Sequence, residues 1–511
     1  VSSWAVVAAL VVVSPTIAVA LATWRGRDRV DLALSTAGLI GAVVLLGRVV
    51  SDGPVRVLDG WFVFDRVAAT WTIFALWVVL AIRAFARRVL AADPQRQRFH
   101  VTSALAGTSG VALFAAGDLL VLAVVAGLSS LASAAVVGSR GAAGHVHKVS
   151  DTLCTSRPVA HRMAMVLLGG DALLLAAVVV TLVDTSSSSP AALLELDAPV
   201  RDVVALLVVV AALVRCAQIP FHGWLPRSLV APTPASALLH AGLVNAGGVI
   251  LIRFAPVVAR SVPATALGLA LATLGVVIGA AVMRTRTEVK SALVWSTTAQ
   301  MGFMLVQVLV GLGAAAAAHL IAHGAYKSNL FLLSGSTIEH PPEPHEQARP
   351  VEAVVAVALA VGMVAAAVAL VGYDLGAADG AAVLVPAFTV ATLASILVGR
   401  VPLARRSPAR SIGVLAVLSV ATVAYLGGIS WFKAWLDLPT AVPDGAAVWA
   451  VAVIAAAVLG GVVTRGFGPA RLGLAVQAWV LALGRRPVLQ ASVLARSART
   501  YPSTGRPVPA T

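Results

Sequence analysis

The segment AAAAAHLIAHGAYKSNLFLLSG at 314–335 sets His319, His323 and Lys327 four residues apart inside an otherwise apolar run. In a helix each such step drifts by only about 40°, so the three side chains share one face. Two imidazoles and an amine stacked along one face can pass protons through intervening water. Imidazole titrates near neutrality, and burial eases loss of an amine's proton. Any one histidine of this kind also packs against the carbonyls of neighbouring helices. The regular row of three is what points to a relay.

Other ionisable residues fall in apolar surroundings, where each costs several kcal/mol unless paired or hydrated and is therefore a functional candidate. His240 stands in SALLHAGLVNAGG with Asn245 nearby, and Lys290 opens the apolar run 291–311, where a lysine snorkelling to the interface is the alternative. Asp171 is central in VLLGGDALLLAAVVV, and Arg215 lies five residues before Pro220. An aspartate and an arginine otherwise isolated in lipid are most simply explained as partners. Pro220, Pro226, Pro232 and Pro234 crowd QIPFHGWLPRSLVAPTP, which breaks the helical pattern. This run reads either as an ordinary inter-helix loop or as a discontinuous helix near 216–234 lining an ion path.

The elements that must hold these residues follow from composition. A chain of 511 residues that is 59% hydrophobic and 12% charged has too much apolar surface for a water-soluble globule of this size. Its apolar stretches match the roughly 30 Å of a bilayer core at 1.5 Å per helical residue, and they lack period-2 alternation. The fold class is therefore all-α, a polytopic bundle of about fifteen transmembrane helices. The spans are placed near 3–23, 31–50, 67–86, 102–117, 119–138, 162–183, 201–220, 232–254, 264–283, 291–311, 314–335, 351–371, 381–399, 411–429 and 447–464.

The first apolar run reads as a span rather than a cleaved signal, since no basic region precedes it. No polar stretch is long enough for a soluble domain, the longest being 139–161. Three regions divide the chain: N-terminal helices over 1–100, a conducting core over 101–400, and over 401–511 further helices with a cytoplasmic amphipathic tail.

The formal charge of +15 invites a nucleic-acid reading, but the position of the basic residues argues against it. Of 37 Lys and Arg, 28 fall in the segments after odd-numbered spans, and seven fall on the opposite side. Basic loops retained in the cytoplasm give that asymmetry, so the sequence predicts a multi-pass plasma-membrane protein with its N-terminus outside and its C-terminus cytoplasmic. Cys154 and Cys216 have no metal-type spacing, and the sequence carries no sign of a redox cofactor of its own.

Three ordered motifs give a family resemblance: CAQIPFHGWLPRSLVAPTPASALLHAG at 216–242, TRTEVKSALVWSTTAQMGFM at 285–304 and HLIAHGAYKSNLFLLSGS at 319–336. Over about 60–340 the chain resembles the antiporter-like membrane subunits of complex I, most closely subunit L, and the Mrp antiporter subunits. HAGLVNAGG at 240–248, ADPQRQRF at 92–99 and the lack of a long lateral helix at the end narrow the match to the DabB family. Members of that family energise a DabA partner, a zinc protein similar to carbonic anhydrases, for uptake of dissolved inorganic carbon.

The resemblance implies inverted internal repeats, and an ion path of protons or sodium along His240, Lys290, His319, His323 and Lys327. It also exposes departures. Where the family places a Trp-Glu pair in span five, LLVLAVVAGL has Ala126 and Gly127, and where it places a lysine in span seven the chain has Arg215. A guanidinium keeps its proton at any accessible pH, so Arg215 serves as a fixed charge and not as a relay. Asp171 is then the carboxylate left to neutralise it, and the entry half of the path is either rebuilt around the pair or no longer conducts. The alternatives to carbon uptake are a complex I or Mrp subunit, and a membrane scaffold that anchors a catalytic partner without conducting.

Overall fold

A computed structural model describes residues 3–25, 28–139, 156–286, 288–334, 424, 427–436 and 443. Two helices, α1 (Ser3–Arg25) and α2 (Asp28–Asp52), lead into a hairpin of β1 (Val55–Val57) and β2 (Phe62–Phe64). Then come α3 (Arg66–Val89), α4 (Arg96–Ala115), α5 (Leu119–Gly138), α6 (Ser156–Thr185) and α7 (Ala198–Arg215). After a run of short turns containing α8 (Trp224–Arg227), the chain continues as α9 (Thr233–Ala241), α10 (Ala246–Arg253) and α11 (Ala255–Val258). Three long helices close the described part: α12 (Val262–Arg284), α13 (Val289–Leu309) and α14 (Gly313–Leu333).

Eight helices among the described residues are long and apolar enough to cross a membrane. The fourth, seventh and eleventh spans read from sequence are also helical, as α4, α7 and α14, each carrying ionisable side chains. Spans twelve and thirteen, most of fourteen, all of fifteen and the amphipathic tail lie outside the described residues.

The burial pattern combines an apolar core with large apolar side chains left on the surface. Val43, Val44, Val124, Leu128 and Val183 stand exposed on the outer faces of their helices, whereas Ser129, Ser130, Thr181, Thr297 and Thr298 are buried. Apolar side chains facing outward and small or polar residues between helices are what a lipid environment selects.

Chain-adjacent helices pack side by side, and α14 folds back against α9 and α13. Gly324 permits the close approach, because a Cβ there would run into Phe74 and the Ala241 carbonyl. The short hairpin, which the sequence reading did not anticipate, joins α2 to α3 and is bridged through Phe62 to Ala116 at the end of α4.

Two sequence readings need correction. Arg83, Arg87, Arg88, Arg96 and Arg98 are five of the 28 basic residues counted in the segments after odd-numbered spans, yet they lie within α3 and α4. Arg83 is only 2% exposed: its Nη2 donates to Asp31 Oδ1, and Arg87 Nη2 donates to Asp31 Oδ2 at 2.5 Å. Asp31, in the first turn of α2, was not counted among the intramembrane ionisable residues, although two guanidinia clamp α3 onto it.

The second concerns span eight, drawn as one helix over 232–254. The interruption at the proline run exists, since α7 stops at Arg215 and a regular helix resumes only at Thr233. A further interruption follows at Gly242, whose φ −121° and ψ −61° end α9, and a single 3-10 turn over Leu243–Asn245 precedes α10. Asn245 Nδ2 fills the gap by donating to Ala241 O at 2.9 Å and to Leu320 O at 3.4 Å, tying the break to α14.

Candidate ion path

The interrupted helices bring the candidate residues into two groups. The first lies where α5, α6 and α7 meet. Arg215, the last residue of α7, is 4% exposed and sends its Nε to Asp171 Oδ1 at 2.7 Å. Its Nη2 donates to the Ala126 carbonyl and to Ser130 Oγ, the latter at 2.9 Å, while Ser130 donates to Asp171 Oδ2 at 2.5 Å.

A buried ion pair survives in a low-dielectric interior when its remaining donors and acceptors are also satisfied, and here α5 supplies that second layer. The guanidinium thus rests on α5 beside Gly127, where the resemblance leads one to expect glutamate. A Cβ at Gly127 would meet nothing nearer than Leu168 Cδ2 at 4.0 Å, so the missing side chain has not been crowded out.

The second group lies between α9, α13 and α14. Lys327 is fully buried, and its Nζ donates to Leu293 O at 3.0 Å and to Ser296 Oγ, both on α13. It has no carboxylate partner among the described residues. One turn back, His323 is 5% exposed with neither ring nitrogen hydrogen-bonded. His240 of α9 is fully buried, has both ring nitrogens unpartnered, and stacks on Phe331 of α14 with centroids 4.6 Å apart and planes 15° from parallel.

His319 differs from the other two histidines. Its Nδ1 lies 2.9 Å from Gln307 Oε1 and its Nε2 lies 3.0 Å from Gln300 Oε1. Phe303, on the same face of α13, sits behind the ring at 5.6 Å, and the His323 ring lies edge-on at 6.1 Å.

The face of α14 that carries His323 and Lys327 therefore points inward, with the His319 and His323 rings 6.1 Å apart and His240 of α9 stacked on Phe331 of the same helix. Lys290 stands apart from this group, half-buried one residue into α13, and makes no hydrogen bond or ion pair among the described residues. Pro220 and Pro232 lie in the turns between α7 and α9, Pro226 lies within the one-turn α8, and Pro234 is in the first turn of α9.

Reading the sequence for ionisable residues left out the polar groups that hold them: Ser130, Ser296, Gln300 and Gln307. The glutamines carried a usable signal, because a carboxamide in a transmembrane helix needs a polar partner just as a charge does.

A bundle of membrane-length helices with an interrupted span defines the class of polytopic helical membrane proteins. The fold agrees with that class: a chain of respiratory complex I from Thermus thermophilus with bound NADH superposes with a TM-score of 0.56, covering 94% of this chain and 100% of that one at 22% identity. Residues 159–377 match the family described as NADH:quinone oxidoreductase/Mrp antiporter, TM.

Among individual relatives, the chain is 51% identical over 135 residues to the probable inorganic carbon transporter subunit DabB of Hydrogenovibrio crunogenus (strain DSM 25203 / XCL-2), a match covering 26% of each. It is 33% identical over 314 residues to the corresponding DabB subunit of Bacillus anthracis, covering 61% of this chain and 59% of that one. The chain thus spans between about a quarter and three fifths of the length of these two relatives.

Proposed function

We propose that this protein is the proton-conducting membrane subunit of a plasma-membrane complex that takes up dissolved inorganic carbon. A soluble DabA-like zinc partner would perform the carbon chemistry, and the membrane chain would be no enzyme by itself. The observation that carries the reading is Lys327, fully buried in α14 with no counter-ion among the described residues and one turn from His323, whose ring in turn lies 6.1 Å from that of His319. Holding an uncompensated amine in that position is costly for packing alone and useful for moving charge. The DabB names of the two relatives supply the cargo.

Protons fit the row better than sodium, because its titratable members are nitrogen bases, whereas hard metal cations take oxygen ligands. The fixed pair Asp171–Arg215 sets the potential at the other end of the path, with the basic ends of the helices in the cytoplasm. The core over 101–400 carries the conduction.

A second reading, a subunit of a complex I or Mrp-type assembly, is favoured by the family match and by the likeness to the Thermus thermophilus chain. Growth at ambient carbon dioxide of a strain that otherwise requires elevated levels separates the two. Rescue by this gene together with a neighbouring gene for a zinc protein is expected. Failure of that pair to rescue, with restored quinone-linked or cation-antiport activity instead, would move the protein to the second reading.

A further inference from the structure

The hydrogen bonding of His319 carries a consequence for the row that the three-residue pattern does not contain. Gln300 and Gln307 are two helical turns apart on α13, and the imidazole from α14 is held between them with Nε2 at 3.0 Å from one and Nδ1 at 2.9 Å from the other. Phe303 closes the back of this slot. Gln307 is 2% exposed and Gln300 stands on the outer side of α13.

A neutral imidazole has one N–H donor and one acceptor nitrogen, whereas the imidazolium has two donors. Two carbonyl oxygens turned to the ring complement the imidazolium. Turning either carboxamide by half a rotation offers an NH2 instead and complements one neutral tautomer. Because neither amide ionises, the slot accepts all three states of the ring without trapping any of them, which a carboxylate in either position would not do.

We infer that Gln300 and Gln307 are positioning residues that set the protonation of His319: each amide holds one ring nitrogen, and a proton is taken up from water at one nitrogen, or released to water at the other, when the amide there swings aside. One proton enters and one leaves, and no electrons move. The free ring nitrogens of His323, one turn further along, are the next station on the side of Lys327. This inference rests on reading α14 as a proton path.

The test uses the full chain with its partner in inverted membrane vesicles, where proton conductance is followed as a function of pH in sodium-free buffer. Gln307→Glu places a carboxylate against Nδ1 and is expected to move the pH midpoint of conductance upward by one unit or more, a tenfold change in proton affinity. Gln307→Met removes the acceptor and is expected to lower conductance at every pH. If Gln307→Glu does not accumulate in the membrane, Gln300→Glu on the outer side of α13 carries the same expectation.

Should His319→Ala abolish conductance while both glutamate variants keep the natural midpoint, the amides are only packing contacts and the inference fails. Should His319→Ala conduct normally, the α14 path itself is wrong, and the inference falls with it.

Discussion

Arg215 and Asp171 are joined twice, directly through Nε and Oδ1 at 2.7 Å and indirectly through the Ser130 hydroxyl, which touches both residues. Breaking a buried pair by removing one partner costs about 3–5 kcal/mol, whereas replacing both by apolar residues of similar volume is often neutral. Asp171→Asn is therefore expected to lower the melting temperature of the detergent-purified protein, and Asp171→Leu combined with Arg215→Met to recover most of the loss. If uptake stays lost in the recovered double variant, the pair has an electrostatic role beyond holding α6 to α7. Full uptake in that variant would make it purely structural.

Lys327 differs in having no group of opposite charge to leave behind among the described residues. Lys327→Met, which keeps most of the buried volume, is expected to change thermal stability little and to eliminate carbon uptake. Lys327→Arg keeps the charge but not the ability to release a proton, so it is expected to eliminate uptake as well. Uptake by either variant at the natural rate would favour the scaffold reading over conduction.

Asp31 is the anchor of a different buried cluster, one that holds α2 against α3 through Arg83 and Arg87. Asp31→Ala strands two guanidinia, one of them almost wholly buried, and is expected to destabilise the fold by roughly 3–5 kcal/mol. A melting temperature unchanged from the natural chain would show the clamp to be dispensable.

Gly324 is expected to tolerate no side chain. Gly324→Ala drives a methyl group into Phe74 and the Ala241 carbonyl, which forces α14 away from α9 at a cost of about 1–3 kcal/mol. The same shift separates His323 from His240, so conductance per folded molecule should fall with stability. Normal melting and normal conductance together would contradict the packing described for this contact.

The fold was legible where composition decides it. Long runs of Ala, Val and Leu announce membrane helices, and the four-residue spacing of His319, His323 and Lys327 marks the face that turns inward. The Asp171–Arg215 contact was also accessible, because two opposite charges in lipid have few other ways to coexist.

What escaped depends on partners distant in sequence or on residues with common alternative uses. Ser130 looks like any small residue of a packed membrane helix until Asp171 comes to lie opposite it. Gly242 is one of many glycines tolerated in such helices, and no local pattern distinguishes the one where the helix stops. Arg83 was misplaced because basic residues near a span's end usually mark a loop, and only Asp31, fifty-two positions earlier, draws this one inside.

The stop at Gly242 divides span eight into two arms with unequal restraint. Beyond it, α10 ends at Arg253, whose guanidinium is moored to Asp65 Oδ2 at 2.9 Å and to the Phe114 carbonyl at 3.0 Å. Asp65 in turn caps α3 through its other oxygen, so that arm is bolted to two neighbours at its far end. The arm bearing His240 is tied elsewhere, by its stack on Phe331 and its close pass against Gly324, so the two halves of one span report to different neighbours and a displacement of α14 reaches the imidazole before it reaches Arg253.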